Sequence, residues 1–206
     1  MNNKILVISS GAVHPTIRCR FNLQSLLKKS DAGKFTFSSD LKRLADLPNE
    51  TYSSVVLYFQ KKTITDQLLD SLENFVFNGG GLLALHAVSA SFKQNQRYFN
   101  LLGGRFIHHG KIAPFKVQVN HAQDSFFRGI DSFSITDELY IHEYLKDVAV
   151  HFTTQVGKKA EPVVWTRELG KGKVAYCSLG HRAAVWKQPE VKSIINQSLD
   201  WLTGAS

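Results

Sequence analysis

Three of the eight histidines in the chain stand directly after short apolar segments. His14 follows ILVISSGAV, His86 follows LLAL, and His181 follows VAYCSLG. These segments have the length and composition of buried strands. Where such strands are parallel, their carboxyl ends meet at one edge of the sheet, and ligands bind at that edge in open α/β folds. We therefore expect the three imidazoles to lie close together.

Clustered imidazoles allow two kinds of chemistry. Imidazole transfers protons near neutral pH and is also the commonest metal ligand. Two or three histidines with one carboxylate suit zinc or another divalent metal. The same groups suit general acid–base catalysis without a metal. The sequence has no HExxH, HxH or CxxC motif, so the spacing of the histidines does not favour a metal site over acid–base catalysis without a metal.

A purely structural role, in which each histidine hydrogen-bonds the end of a strand, is the alternative. For His86 and His181 together, both close to glycine-marked turns, we favour a functional role. The adjacent His108 and His109 cannot easily face one ligand. The other histidines lie in strand-like or surface-like sequence and are expected to be structural: His121, His142 and His151.

Nucleophilic catalysis is disfavoured. In the amidotransferase-like version of an α/β architecture, a cysteine occupies the sharp turn after a central strand. Here that turn carries His86, and no GxSxG motif surrounds the serines that follow it. Cys19 and Cys177 are predicted to lie within a helix and a strand. The first strand is not followed by GxGxxG, so the sequence also predicts no dinucleotide binding.

The first half of the chain alternates between strand and helix patterns. Apolar runs predict strands at residues 4–9, 35–38, 54–59 and 82–86. Helices are predicted at 16–29, where Ile17 and Phe21 join the apolar side, and at 65–77, where Thr65 is the expected N-cap. Three glycines at 79–81 end the second helix. This order predicts a flavodoxin-like, doubly wound, mostly parallel sheet with helices on both faces.

The second half of the chain is richer in strand patterns. Strands are predicted at residues 115–120, 134–144 and 148–154, and a hairpin is predicted from 161–166 and 173–178 around Gly-Lys-Gly. A last helix is expected at 189–201, with Pro189 in its first turn. We expect residues 92–154 to form a β-rich elaboration around the active edge of a single domain spanning residues 1–206.

Composition limits the partners. The formal net charge is +8, but the basic residues are scattered in pairs rather than interleaved with aromatics, so we expect no nucleic-acid partner. No apolar run approaches the roughly 20 residues of a membrane span, and the first run is too short for a signal peptide. Two cysteines form no disulfide framework. We expect a cytoplasmic protein that does not contact a membrane, and leave a homo-oligomer open.

The ordered set of motifs resembles the ThuA-like (trehalose utilisation) family of the class I glutamine amidotransferase-like superfamily. The motifs are the His14 loop, NGGGLLALHAVSA, LLGGRFIHHG, TDELY and GKGKVAYCSLGHRAAVW. The resemblance implies a flavodoxin-like fold that has lost the amidotransferase nucleophile. It also implies a role in bacterial disaccharide catabolism, with 3-keto sugars as candidate intermediates. The family's recurrent polar positions match His86, His109, Glu138 and His181, and His14 more loosely.

The predicted catalytic residues are His86, His109, Glu138 and His181. We expect His86 to act as a base or a metal ligand, His181 and Glu138 as its partners, and His109 as an electrophilic or supporting group. A divalent metal such as zinc is the candidate cofactor, with His86, His109, His181 and Glu138 as its candidate ligands. Hydrolysis, elimination and isomerisation of a keto glycoside stay open.

A sugar substrate needs aromatic faces and polar groups at a rim. Tyr140, Trp186 and Phe92 lie next to the motifs and are predicted, with His14, to contact the substrate. Packing of the last helix against the sheet is an equally good prediction for Trp186. Arg105 and Arg182 are expected to be ordinary surface residues. The alternative to an enzyme is a non-catalytic sugar-binding or partner-binding module.

Overall fold

The computed structural model describes residues 3–12, 14–120 and 126–204, which form eleven strands, four α-helices and three 3₁₀ helices. The strands are β1 (Lys4–Ser9), β2 (Lys34–Ser38), β3 (Ser54–Tyr58), β4 (Gly81–Leu85), β5 (Gly104–His109), β6 (Ala113–Val119), β7 (Phe133–Asp137), β8 (Tyr140–Tyr144), β9 (Ala149–Val156), β10 (Lys159–Leu169) and β11 (Gly172–Cys177). The α-helices are α1 (Ile17–Leu27), α2 (Asp66–Phe77), α3 (Gln96–Leu102) and α4 (Pro189–Thr203). The 3₁₀ helices are Leu41–Asp46, His86–Ala90 and Val185–Lys187.

Nine strands form one sheet in the order β2-β1-β3-β4-β11-β10-β9-β6-β7. Neighbours from β2 to β11 are parallel, and those from β11 to β7 are antiparallel. The predicted fold class, with its antiparallel elaboration and its hairpin of β10 and β11, is confirmed. Strands β5 and β8 pair separately as a two-stranded sheet.

The central sheet is covered on both faces, and its inner strands β1, β3 and β4 are almost entirely apolar. In β1, Ile5 and Val7 belong to the core that contains the buried residues of α1 and α4. The alternate residues Leu6 and Ile8 belong to the core under α2 and α3. Alternating side chains of a strand point to opposite faces. A run without polar residues therefore marks a strand that is buried on both sides.

Two of the helices begin at threonine caps. The Thr16 and Thr65 hydroxyls accept the backbone N–H groups of Cys19 and Leu68, as expected for Thr65 from the sequence. One expectation for α1 is wrong: Ile17 and Phe21 are exposed. The buried side of α1 consists of Cys19, Leu23, Leu26 and Leu27.

The predicted strand at residues 134–144 is two strands. Strand β7 ends at Asp137 and pairs with β6, whereas β8 begins at Tyr140 and pairs with β5. The chain leaves the sheet between them because Asp137 binds backbone amides of a neighbouring loop and Glu138 turns toward the histidines. Helix α3 and strand β5 were not predicted.

No helix in the described part of the chain is long and apolar enough to cross a lipid bilayer.

Both cysteines are buried, and burial raises the pKa of the Cys177 thiol to about 12. At pH 8 only about 1 in 10⁴ of the Cys177 side chains would then be the reactive thiolate. We expect a disulfide reagent at pH 8 to label neither thiol in the folded protein on the timescale on which it labels both in denaturant. Absorbance of the released thiolate measures this. Rapid labelling of the native protein would show that α1, which carries Cys19, or β11, which carries Cys177, opens to solvent.

Candidate active site

The two central strands β4 and β11 end side by side. They are parallel, and Leu85 pairs with Cys177 in their last register. The residues that follow, His86 and the segment 178–181, therefore leave the sheet next to each other. The segment after β1, which carries His14, leaves at the same edge because β1, β3 and β4 are also parallel. The ring centroids of the three histidines lie 5.0–5.6 Å apart.

His86 is fixed in one orientation. Its Nδ1 lies 2.7 Å from the Ser178 carbonyl oxygen. Because a carbonyl only accepts, Nδ1 carries the proton and donates it. The other nitrogen, Nε2, then presents a lone pair, and it is buried without a hydrogen-bond partner. Burial is the main cause that lowers the pKa of His86 well below its usual value, so the lone pair is free near neutral pH.

Glu138 lies among three histidines. Its Oε2 is 3.1 Å from Nδ1 of His181 and 3.8 Å from Nε2 of His86, and its Oε1 is 3.2 Å from Nδ1 of His109. The glutamate side chain is only 9% exposed, whereas the His181 side chain is 23% exposed and that of His109 is 42% exposed. Solvent or a substrate therefore reaches the group from the side of His181 and His109.

Tyr140 forms the wall of the site. Its hydroxyl shares a 3.0 Å hydrogen bond with Nε2 of His14, and its ring centroid is 4.3 Å from that of His86. Burial raises the pKa of Tyr140, so its hydroxyl stays protonated. Burial, followed by the neighbouring His181, lowers the pKa of His14. Neutral imidazoles are thus favoured at two of the three strand-end histidines.

Asp137 holds the loop that carries His181. Its buried carboxylate accepts the backbone N–H groups of Gly180 at 2.7 Å, His181 at 3.3 Å and Arg182 at 3.0 Å. The Tyr58 hydroxyl donates to the Gly180 carbonyl from the other side, at 2.6 Å. Sequence reasoning gave Asp137 no role, although its position beside Glu138 in a segment of alternating side chains was a signal that the two carboxylates point to different partners.

A buried polar network lies behind His86. Tyr176 donates a hydrogen bond to the His86 carbonyl at 3.0 Å and shares another with Ser89 at 2.7 Å. Nε2 of His142 is 3.1 Å from the Tyr176 hydroxyl, and its Nδ1 is 3.2 Å from Glu161. His142 is a hydrogen-bonded core residue. Nothing local in the sequence indicates that it belongs to this network.

Two residues predicted to contact substrate lie elsewhere. Phe92 is buried in the core under α2 and α3, with its ring 4.8 Å from that of Tyr98. Trp186 is buried in the opposite core, with its ring 5.2 Å from that of Tyr58. Both aromatic rings are buried among apolar neighbours, so neither presents an exposed face to a substrate.

Among the described residues, the other histidines and arginines considered from the sequence do not belong to the group around Glu138. Arg105 is paired with the exposed Glu143 at 2.7 Å, and His108 is exposed. His151 shares a 2.7 Å hydrogen bond with Thr166. The backbone N–H of Arg182 is one of those that Asp137 accepts. His121 lies outside the described residues.

The site as a whole can hold either a proton or a cation. In His14, His86, Glu138 and His181, one nitrogen or oxygen atom of each residue lies within 4.8 Å of the other three. His109 touches this group through the second oxygen of Glu138 and also lies 2.7 Å from the Gly110 carbonyl oxygen. It therefore stands at the rim, while His14, assigned to the substrate from the sequence, stands inside the group.

The family profile described as ThuA, trehalose utilisation, matches residues 4–202. A comparison with curated proteins gives no significant match. A solved ThuA-like protein of Parabacteroides merdae ATCC 43184 is 17% identical with a TM-score of 0.84, covering 99% of this chain and 91% of that one. Another, from Bacteroides uniformis ATCC 8492, is 17% identical with a TM-score of 0.81, covering 100% and 92%. A cytoplasmic protein of Salmonella typhimurium LT2 is 12% identical with a TM-score of 0.72, covering 97% and 99%. These likenesses show a shared fold.

Replacing Asp137 should loosen the His181 loop. In Asp137→Asn the amide offers one oxygen to three N–H groups and turns its own N–H₂ toward one of them. We expect the free energy of unfolding to fall by about 1–3 kcal/mol, the cost of a buried hydrogen bond left unmade. The exposed Asp131→Asn is the matched control and should stay within about 0.5 kcal/mol of the parent. Urea unfolding followed by tryptophan fluorescence decides; equal values for the two variants would contradict the assigned role.

A side chain at Gly180 should disturb the same loop. Gly180 has φ +135°, and an added Cβ would lie 2.5 Å from Cζ2 of Trp186. Gly129→Ala is the control, because Gly129 also has a positive φ but has open space around it. We expect Gly180→Ala to lower the free energy of unfolding by about 1–3 kcal/mol more than the control, the cost of overpacking a core. The same urea titration measures both variants. Equal decreases in the free energy of unfolding would show that the Trp186 ring moves aside without cost.

Proposed function

The chain belongs to the ThuA family of trehalose utilisation, and we propose that it acts on a sugar or 3-keto sugar of disaccharide catabolism through its histidine and glutamate side chains. The proposed substrate is a small carbohydrate, and the proposed location is the cytoplasm. The reaction class is a hydrolysis, an elimination or an isomerisation at a keto glycoside. Amidotransferase chemistry is not part of the proposal, since His86 stands where that chemistry needs a cysteine.

One observation carries the proposal: the lone pair on Nε2 of His86, buried without a hydrogen-bond partner and 3.8 Å from the carboxylate of Glu138. Most buried polar atoms in proteins are hydrogen-bonded. An exception aimed at a carboxylate and two other imidazoles supports a site in which a proton or a cation is gained during function. The side chains of His181 and His109 reach this place from the more exposed side.

A keto sugar fits this chemistry. A carbonyl acidifies the hydrogen on the neighbouring carbon, and removal of that proton moves the electron pair onto the carbonyl oxygen. The site offers a lone pair on His86, a carboxylate on Glu138 that stabilises positive charge beside it, and the ring of His181 as an N–H donor for the oxygen. Such a step begins both isomerisation and elimination of a glycosidic substituent.

The exposed fractions of the histidine side chains indicate which residues would activate the substrate and which would position it. His86 is fully buried, so it acts from the floor of the site, whereas His109 is at the rim and can meet a substrate oxygen directly. The Tyr140 hydroxyl shares a hydrogen bond with His14, its ring packs against that of His86, and the side chain is buried, so it offers no exposed face to a substrate. We therefore assign substrate positioning to His109 and His181 and activation to His86 with Glu138.

Glu138→Gln is the sharpest test of this function. The substitution keeps the size of the side chain but removes its charge, and we expect kcat/KM for a 3-keto disaccharide to fall by about 10²-fold or more. The control is His108→Ala, which removes an exposed histidine next to the rim and should leave turnover within about twofold. NMR of the products distinguishes hydrolysis, elimination and isomerisation.

Two outcomes would remove the enzymatic proposal. Turnover by Glu138→Gln at the parental rate would show that the carboxylate takes no part. Binding of trehalose or its 3-keto form without any conversion, in a parent protein whose circular dichroism is native, would instead indicate a sugar-binding module.

A further inference from the structure

We propose that His14, His86, Glu138 and His181 bind one divalent transition-metal ion, with a donor set that suits zinc. The inference rests on the proposed function and on the same site: with the ion bound, the Nε2 lone pair of His86 would hold the metal, and the metal rather than a free imidazole would activate the keto group. It is tested without any substrate.

Three buried atoms of the group have no hydrogen-bond partner: Nε2 of His86, Oε2 of Glu138 and Nδ1 of His181. They face one another, with Oε2 at 3.1 Å from one nitrogen and 3.8 Å from the other. Unpartnered buried polar atoms are uncommon and costly one at a time. A single cation among the three would satisfy them all, since each would present a lone pair to it.

The distances fit a small metal ion. Zinc binds histidine nitrogen and carboxylate oxygen at about 2.0–2.2 Å, and in a tetrahedron this separates the ligand atoms by about 3.4 Å. The two distances to Oε2, 3.1 and 3.8 Å, lie on either side of that value. All four ligand atoms fall within 4.8 Å of one another, so side-chain adjustments of an ångström or so complete the shell.

The charge of the site also calls for a cation. Glu138 is a nearly buried carboxylate, and the ion-pair partners recorded for it among the described residues are the imidazoles of His86, His109 and His181. Imidazoles are uncharged unless protonated. A buried carboxylate without a permanent positive partner is strongly destabilising. A divalent ion would supply the missing charge where lysine and arginine do not reach.

The ligands are supported as metal ligands usually are. Nδ1–H of His86 donates to the Ser178 carbonyl, which leaves Nε2 as the binding nitrogen. Asp137 accepts three backbone N–H groups of the loop that carries His181. Tyr140 shares a hydrogen bond with His14. Each of these contacts fixes a ring or a loop before any ion arrives.

A second histidine–carboxylate pair shows the contrast. His142 has Glu161 on one ring nitrogen and the Tyr176 hydroxyl on the other, so both of its nitrogens are occupied by the protein. His109 faces the other oxygen of Glu138 and the Gly110 carbonyl. Neither histidine therefore joins the proposed shell, and three nitrogens with one oxygen remain. Such a set accepts zinc, cobalt, nickel or iron rather than magnesium or calcium.

The experiment is a titration of the full chain with Co²⁺ and then Zn²⁺ after treatment with a chelator, followed by visible absorption of the cobalt form and by elemental analysis. We expect one equivalent per chain and d–d bands of four- or five-coordinate cobalt. Glu138→Gln and His181→Ala should each weaken Co²⁺ binding by at least 10-fold. Glu143→Gln, an exposed carboxylate of the same type on β8, is the matched control and should bind as the parent does.

Two results would overturn the inference: no stoichiometric binding of either ion by the natively folded parent, or unchanged affinity in both Glu138→Gln and His181→Ala. Circular dichroism of each variant separates loss of ligand from loss of fold. A parent that binds one metal ion but converts no sugar keeps this inference and removes the proposed function. A parent that binds no metal and still converts a 3-keto sugar removes this inference and keeps the proposed function.

Discussion

The parallel pairing of β4 with β11 is the constraint on which the site depends. It brings the Ser178 carbonyl within 2.7 Å of Nδ1 of His86, and that one hydrogen bond decides which nitrogen carries the proton and which one faces the cluster. His86 and Ser178 are 92 positions apart in the chain, so only the finished sheet can set this geometry. Everything that His86 can do, as a base or as a ligand, follows from the pairing.

Two adjacent carboxylates then serve different parts of the same edge. Asp137 ends β7 and accepts the amides of residues 180–182, while Glu138, pointing the other way, meets the side chains of His86, His109 and His181. Asp137 is stabilised by dipoles that the backbone provides. Glu138 is surrounded by imidazoles instead, so its negative charge is stabilised only as far as these rings carry a proton or bind an ion. Asp137 therefore fixes the loop that carries His181, whereas Glu138 contacts the imidazoles and whatever proton or ion binds among them.

The sheet and its active edge were predictable because their signals are local. Apolar runs gave β1, β3 and β4, and Thr65 and the glycines at 79–81 bounded α2. The convergence of His14, His86 and His181 was also predictable, because it follows from parallel strand ends, but the other contacts between distant residues were not. The turn at Glu138, the loop contacts of Asp137 and the network joining Ser89, Tyr176 and His142 depend on side chains 34 to 87 positions apart. Phe92 and Trp186 were assigned to substrate because they neighbour the motifs in sequence, yet their rings face the two cores.

The backbone at His86 gives an independent reason to regard its side chain as functional. His86 has φ +47°, a conformation that residues other than glycine rarely adopt and that costs about 1–3 kcal/mol. Ser89 and Tyr176 hold its carbonyl in place. A glycine would relieve the strain, and it would also avoid burying a polar nitrogen without a partner. A strained and incompletely hydrogen-bonded imidazole at this turn lowers stability, and the surrounding hydrogen bonds hold it there. Its presence in place of a less costly residue is explained by a role for its free nitrogen.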